Sequence, residues 1–311
     1  MSDTVMQSFE QEFEPVITRV MAERGQGHST RKNIFPNLEN YLGRPIVTYF
    51  TSNIYPVGVT DADVDMIEGF LQAMDLSKGL ALMISSLGGD GIAAERLIKV
   101  CRSYSKTGEF WAIVPGKAKS AATMVCLGAS KIFMGPASEL GPIDPQVLIY
   151  DNREHPNYIS AFHVVRSYYE LFEKARKEIK GRLEPYLQQL SNYNASVVSH
   201  YQSLIDLSED ISVKALSSGM MNKLSKENIR KKIKIFLIPE KTKTHGRPIF
   251  QDDARMAGLN IEKIDTSNEL GQSIYELYIR SRSCADRQVS KLIETIKESI
   301  YFPPVIPSKE E

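Results

Sequence analysis

Continuous apolar runs alternate with amphipathic stretches from about Arg44 onward. RPIVTYF (44–50), GLALMIS (79–85), EFWAIVP (109–115) and KIFM (131–134) are short and β-branched or aromatic, as buried strands require. Between them the apolar positions change to helical spacing. Thr60 with Asp63 makes a capping-box-like start to a helix carrying Val64, Ile67, Phe70, Leu71 and Met74 on one face. GIAAERLIKVCRSY (91–104) predicts a second helix with Ile92, Leu97, Ile98, Cys101 and Tyr104 inward, and SAATMVCLGA (120–129) a third. Strand and helix thus alternate three times, which predicts an α/β domain with right-handed crossovers and a mainly parallel sheet. Ligands of such sheets lie beyond the carboxyl ends of the strands, which directs attention to the turns at 86–91 and 115–120.

Downstream the pattern changes. GPASELGPIDP (135–145) is rich enough in Gly and Pro to predict an ordered loop without regular structure. From about Tyr158 the chain is long, charged and helical, with Pro185 as a kink or break. HGRPIFQDDARMAGLNIEKI (245–264) predicts a loop, a short helix closed by Gly258 and a strand-like exit, and the stretch from Leu270 to Tyr301 an amphipathic helix ending at two prolines. The organisation expected is an N-terminal helical segment (1–40), a central domain (41–265) with a helical insertion at about 155–235, and a C-terminal helix (266–311). No internal repeat or low-complexity linker interrupts it.

Composition narrows the function classes. With 311 residues, 42% hydrophobic, the chain can build a sizeable core, and its net charge of zero removes any global attraction to nucleic acid or anionic membrane. The lysine-rich stretch 223–247 carries nine Lys or Arg against two Glu, but it lacks interleaved aromatics and reads as a solvated helix face. No apolar run reaches the length of a membrane span, and the first residues carry acids rather than a basic leader. Three widely spaced cysteines read as reduced thiols. The expectation is a cytoplasmic protein with no metal or organic cofactor and no nucleic-acid partner.

Two turns carry candidate chemistry. In SSLGGDG (85–91), paired glycines after a strand permit positive φ and bare backbone N–H groups, as an oxyanion hole or phosphate cradle needs; a ligand-free βα turn has the same look. Neither a P-loop nor a GxGxxG spacing is present, which disfavours a nucleotide. In GKAKSAATMVCLGA (116–129), Ser120 opens a helix, where a hydroxyl can attack a carbonyl or simply cap the N-terminus. Two such turns at the ends of neighbouring parallel strands would face one crevice.

These two blocks, with the GPASELGPIDPQ after them, resemble the serine dehydrogenase proteinase family, related to ClpP and signal-peptide peptidase A (SppA) within the Clp/crotonase-fold serine peptidases. The resemblance covers about residues 44–146, and HGRPIFQDDARMAGLNIE is similar to the family's closing segment. It implies a ClpP/crotonase-like spiral of β-β-α units plus a helical C-terminal half, an ATP-independent peptidase acting on peptide or protein substrates, and a homo-oligomer. Carried over by residue, it makes Ser120 the nucleophile and the amides of Gly88 or Gly89 and of Ala121 the oxyanion donors. Relatives often have Pro-Gly-Gly where this chain has Leu87 before Gly88.

The base is open between two arrangements. Where ClpP-type subunits carry their histidine this chain has Asp144, and near the place of their acid it has His245, so the two roles are exchanged if His245 polarises Ser120 and Asp144 orients the imidazole. Asp144 before Pro145 equally suits a turn. A Ser-Lys dyad of SppA type would need a buried lysine, from among Lys117, Lys119, Lys174, Lys177 and Lys180. His163 and His200 read as satisfied core histidines, His28 and His155 as residues of polar segments, and Trp111 as core. Two functions of other classes are compatible with the same fold: a non-catalytic interaction scaffold, and a crotonase-type acyl-CoA enzyme.

Overall fold

The structure is a computed structural model describing residues 15–23, 25, 27–150, 156–178 and 181–304. The acidic residues 1–14, His155 and Lys180 lie outside the described residues.

The chain forms β1 (Ile46–Thr51), β2 (Leu80–Ser85), β3 (Phe110–Val114), β4 (Lys117–Ala118), β5 (Lys131–Met134), β6 (Glu139–Leu140), β7 (Gln146–Tyr150), β8 (Pro156–Ser160), β9 (Ile261–Lys263), β10 (Lys291–Glu294) and β11 (Ser299–Phe302). Seven of these make one sheet in the order β11-β10-β1-β2-β3-β5-β9. Every pairing from β1 to β9 in that sheet is parallel, while β10 joins β1, and β11 joins β10, antiparallel. The predicted α/β class with a mainly parallel sheet is the class observed.

The strand sequences are apolar throughout because both faces of the sheet are buried. Val47, Tyr49, Leu82, Ile84, Ala112 and Val114 face the crossover helices Asp61–Gln72, Gly91–Tyr104 and Ala121–Leu127, whereas Ile46, Phe50, Met83 and Ile113 face a second core. Because the crossovers all cover one face, the other needs elements from outside the repeat. The helices Phe35–Leu42 and Glu269–Arg287 supply it, through Leu38, Leu42, Ile274 and Leu277.

Several local expectations are corrected. The segment expected as one C-terminal helix over 266–311 is a helix only to Arg287; KLIE and SIYF then form the β10–β11 hairpin that covers the edge of β1. Val289, Leu292, Ile293 and Ile296 have spacings that mimic a helix, and only pairing with β1 decides between the two periods. Of the two outcomes expected at Pro185 the structure shows the break: the helix Ala161–Lys177 ends before it, and Pro185 sits in the first turn of Glu184–Leu190, where its missing N–H is harmless. The 135–145 loop contains β6, which pairs with β4. Ile92 is exposed, whereas Ala93, Ala94 and Leu97 of the same helix are the residues it buries. His163 and His200 are exposed rather than core, since the helices Ala161–Lys177 and Ala195–Ser217 turn these positions to solvent while packing on each other through other residues.

Asp63 does more than cap its helix. Its carboxylate accepts from Thr60 N–H at 2.8 Å and, in the interior, from Tyr49 Oη at 2.7 Å and from Lys291 Nζ at 2.7 Å. Burial, with the Asp63 charge beside it, holds the Tyr49 phenol well above its usual range. Asp63→Ala would strand a buried ammonium, so a loss of roughly 3–5 kcal/mol of stability is expected. Urea unfolding of the variant checks it; a loss below about 1 kcal/mol would contradict this account.

Candidate active site

The first candidate turn is shaped by contacts that exclude side chains. Gly88 and Gly89 have φ of 120° and 144°, and a Cβ on Gly89 would stand 2.2 Å from Val59 N. Val59 N–H donates to Gly88 O at 2.7 Å and Asp90 N–H to Val59 O at 2.9 Å, so the turn is threaded against the segment after β1. Behind it, Ser86 Oγ accepts from Thr51 Oγ1 at 2.8 Å and from Gly88 N–H at 3.2 Å. Arg282, buried on the C-terminal helix, braces both strand ends by donating to Thr51 O and Ser85 Oγ, each at 2.7 Å. Gly88 N–H is therefore committed to Ser86. Gly89 N–H has no partner among the described residues.

The second turn is bonded to the first. Ser86 N–H donates to Lys117 O at 2.9 Å and Lys119 N–H to Ser86 O at 3.0 Å. These bonds bring Ser120 against the glycines: a Cβ on Gly88 would lie 2.7 Å from Ser120 Cβ and 3.3 Å from its Oγ. The two turns lie in direct contact at the ends of neighbouring parallel strands. Ser120 is partly exposed and adopts φ 49°, ψ −119°, a conformation that ordinary side chains avoid. Its hydroxyl makes no capping bond to the helix Ala121–Leu127. The capping role open to it from sequence is therefore not the one it plays. Ala121 N–H, like Gly89 N–H, is uncommitted among the described residues.

Asp144 and His245 meet across 101 positions of sequence: His245 Nδ1 lies 2.7 Å from Asp144 Oδ1. Asp144 is buried, and its Oδ2 accepts from Gln146 Nε2 at 2.8 Å. The imidazole is 28% exposed, and with Nδ1 on the acid its Nε2 is the nitrogen free for proton transfer. No hydrogen bond joins His245 to Ser120. A cavity of about 400 Å³ adjoins Asp144, walled by Phe162 of the helix Ala161–Lys177, Ile205 of Ala195–Ser217, and Leu237 and Ile238 farther along the chain.

The lysines fare differently. Lys119 is buried, but its amine donates to Glu139 Oε2 at 2.8 Å and Leu140 O at 3.1 Å, away from the nucleophile. Desolvation lowers its pKa, against the opposing pull of Glu139. Lys174 and Lys177 are exposed, as are most of the basic residues of 223–247. Sequence reasoning missed Thr51, Ser86, Glu139 and Arg282, all supports rather than reacting groups. Only Ser86, next to the glycines, carried a local signal.

The cysteines offer no rival nucleophile. Burial pushes the Cys101 thiol up to about 12 and the Cys126 and Cys284 thiols upward as well. All three are expected to resist a disulfide thiol reagent in the native protein and to react together on unfolding; rapid native reaction of any one would contradict their burial. Among the described residues, no group of three or more His, Cys, Asp or Glu side chains is placed to hold a metal, and no helix is long and apolar enough to cross a membrane.

No family model matches the chain. An uncharacterized protein of Methanocaldococcus jannaschii is 34% identical over 89 residues, which is 29% of this chain and 30% of that protein, so the likeness spans less than a third of the relative. Among solved structures, the chain is similar to the membrane-bound stomatin-specific protease 1510-N: to a lysine-to-alanine mutant in complex with a substrate peptide (TM-score 0.31, 14% identity, 72% of this chain and 93% of that one) and to a serine-to-alanine mutant (TM-score 0.29, 14% identity, 67% and 93%).

Proposed function

We propose that this chain is a serine peptidase that cleaves peptide bonds through an acyl-enzyme on Ser120. The observation that carries the proposal is the conformation of Ser120: a positive φ, held without any capping bond, that leaves its hydroxyl uncommitted against the Gly88–Gly89 turn. Strained backbone of this kind persists where surrounding structure over-determines it, and a nucleophile presented at a helix start is one reason for it.

In the proposed reaction His245 Nε2 removes the Ser120 hydroxyl proton as Oγ adds to the substrate carbonyl. The carbonyl oxygen becomes an oxyanion received by Gly89 N–H and Ala121 N–H, the two amides without partners among the described residues. The protonated imidazole then gives its proton to the leaving amine as the C–N bond breaks. Water, deprotonated by the same nitrogen, releases the acid and restores Ser120. Asp144 holds Nδ1–H, fixing the tautomer that has its lone pair on Nε2. The proposed reaction requires His245 Nε2 to come within hydrogen-bonding reach of Ser120 Oγ in the substrate complex. No nucleotide or metal enters any step.

The test is covalent labelling with a fluorophosphonate, then peptide mapping, beside hydrolysis of an unstructured protein such as casein. Phosphonylation on the peptide containing Ser120, with casein cleavage that the reagent abolishes, is expected. A scaffold or an acyl-CoA enzyme would leave Ser120 unmodified, and that result would overturn the proposal.

A further inference from the structure

Between the three reacting groups runs a strip of only three residues, Glu139 to Gly141, and each group's segment is fastened to it. Lys119, next to the nucleophile, donates to Glu139 Oε2 and Leu140 O, and its stem lies over Gly141 so closely that a Cβ there would be 2.5 Å from Lys119 Cδ. Thr123, in the first turn of the nucleophile helix, donates to Ala118 O at 2.6 Å and accepts from Gly141 N–H at 3.0 Å. On the strip's other side Leu140 and Ile249 exchange two backbone bonds of 3.0 Å, which anchors the segment that carries His245. Asp144 lies just past the strip in sequence.

We infer that the largely buried Lys119–Glu139 pair is a positioning clamp, which sets the separation of Ser120 from the Asp144–His245 pair through the Glu139–Gly141 strip. The inference rests on the reading of Ser120 as nucleophile. Lys119 is not the base: its donors point to Glu139 and a carbonyl. Burial separates its role from that of its neighbour. Lys117 reaches the same carboxylate at 3.4 Å, but its side chain is 51% exposed against 9% for Lys119, and an exposed pair of that kind holds little in place. A misplacement of about 1 Å between reacting groups is enough to slow the chemical step about 10²-fold.

Full-length Lys119→Met, Glu139→Gln, the double variant and Lys117→Met would be compared for fluorophosphonate labelling, separating the maximal labelling rate from the probe's half-saturating concentration. Lys119→Met is expected to lose about 10²-fold in maximal rate with the half-saturating concentration nearly unchanged, the double variant to lose no more than Lys119→Met, and Lys117→Met to stay within about 2-fold. Additive losses, or a Lys119→Met rate equal to that of Lys117→Met, would overturn the clamp. Amide hydrogen exchange gives a second readout that does not need catalysis and serves also if Lys119→Met is poorly folded, because Glu139→Gln can replace it. Exchange should quicken at 121–123 and 139–141 in either clamp variant but not in Lys117→Met; unaltered exchange there would reject the clamp. Were the wild type not to label at all, the nucleophile reading would fall and exchange alone would still decide whether the clamp exists.

Discussion

Ser120→Gly should melt higher than the wild type and fail to react with a fluorophosphonate. At φ 49°, ψ −119° a residue with a Cβ carries backbone strain of about 1–3 kcal/mol, which glycine relieves. Glycine also loosens the unfolded chain, an opposing effect of about 0.4–1 kcal/mol. A net gain of about 1 kcal/mol remains, or a rise of roughly 2 °C in Tm for a chain this long. Ser120→Ala keeps the Cβ and hence the strain, so its Tm should match the wild type. Both variants lack the attacking oxygen, and their peptide hydrolysis should fall by about 10³-fold or more. Calorimetry and labelling read the two effects separately. Retained labelling in Ser120→Ala would remove Ser120 from the mechanism, and a lowered Tm in Ser120→Gly would show that its backbone is not strained.

A loss of roughly 10³- to 10⁴-fold in acylation rate is expected for Asp144→Asn, with the fold intact. Gln146 Nε2 donates to one carboxylate oxygen and His245 Nδ1 lies against the other. An asparagine must turn its NH₂ toward one of them. Facing Gln146, it sets donor against donor. Facing His245, it demands an acceptor at Nδ1, which moves the ring proton to Nε2 and leaves no lone pair for the serine proton. His245→Gln should abolish acylation through loss of the base itself. Stopped-time labelling with melting curves checks both; undiminished labelling in His245→Gln would return the choice of base to the lysines, of which the buried one is already engaged with Glu139.

How much of this was legible in the chain depends on the range of the forces involved. The four strand runs and three crossover helices were readable because each is a local pattern, apolar throughout or apolar every third or fourth position, and burial on the observed faces rewards it. The glycine turn and Ser120 were readable for a related reason: positive φ leaves its mark on residue type, as paired glycines, and a hydroxyl among alanines has no packing purpose. The hairpin at 291–302 was misread because its apolar spacing satisfies a helix as well as a strand, and its outcome depends on the open edge of β1, which is distant in sequence.

What the sequence by itself determined is therefore the α/β alternation, the two turns at the carboxyl ends of neighbouring strands that meet beside Ser120, and the candidate nucleophile. Only the tertiary structure decided that Ser120 leaves its helix uncapped, that Gly89 rather than Gly88 keeps a free N–H, that Asp144 meets His245, and that Lys119 is spent on Glu139. Each of those is a contact between segments tens of residues apart or a choice among competing partners for one polar atom. Local propensity has no term for either, because the partner that wins is whichever group the folded chain brings within hydrogen-bonding distance.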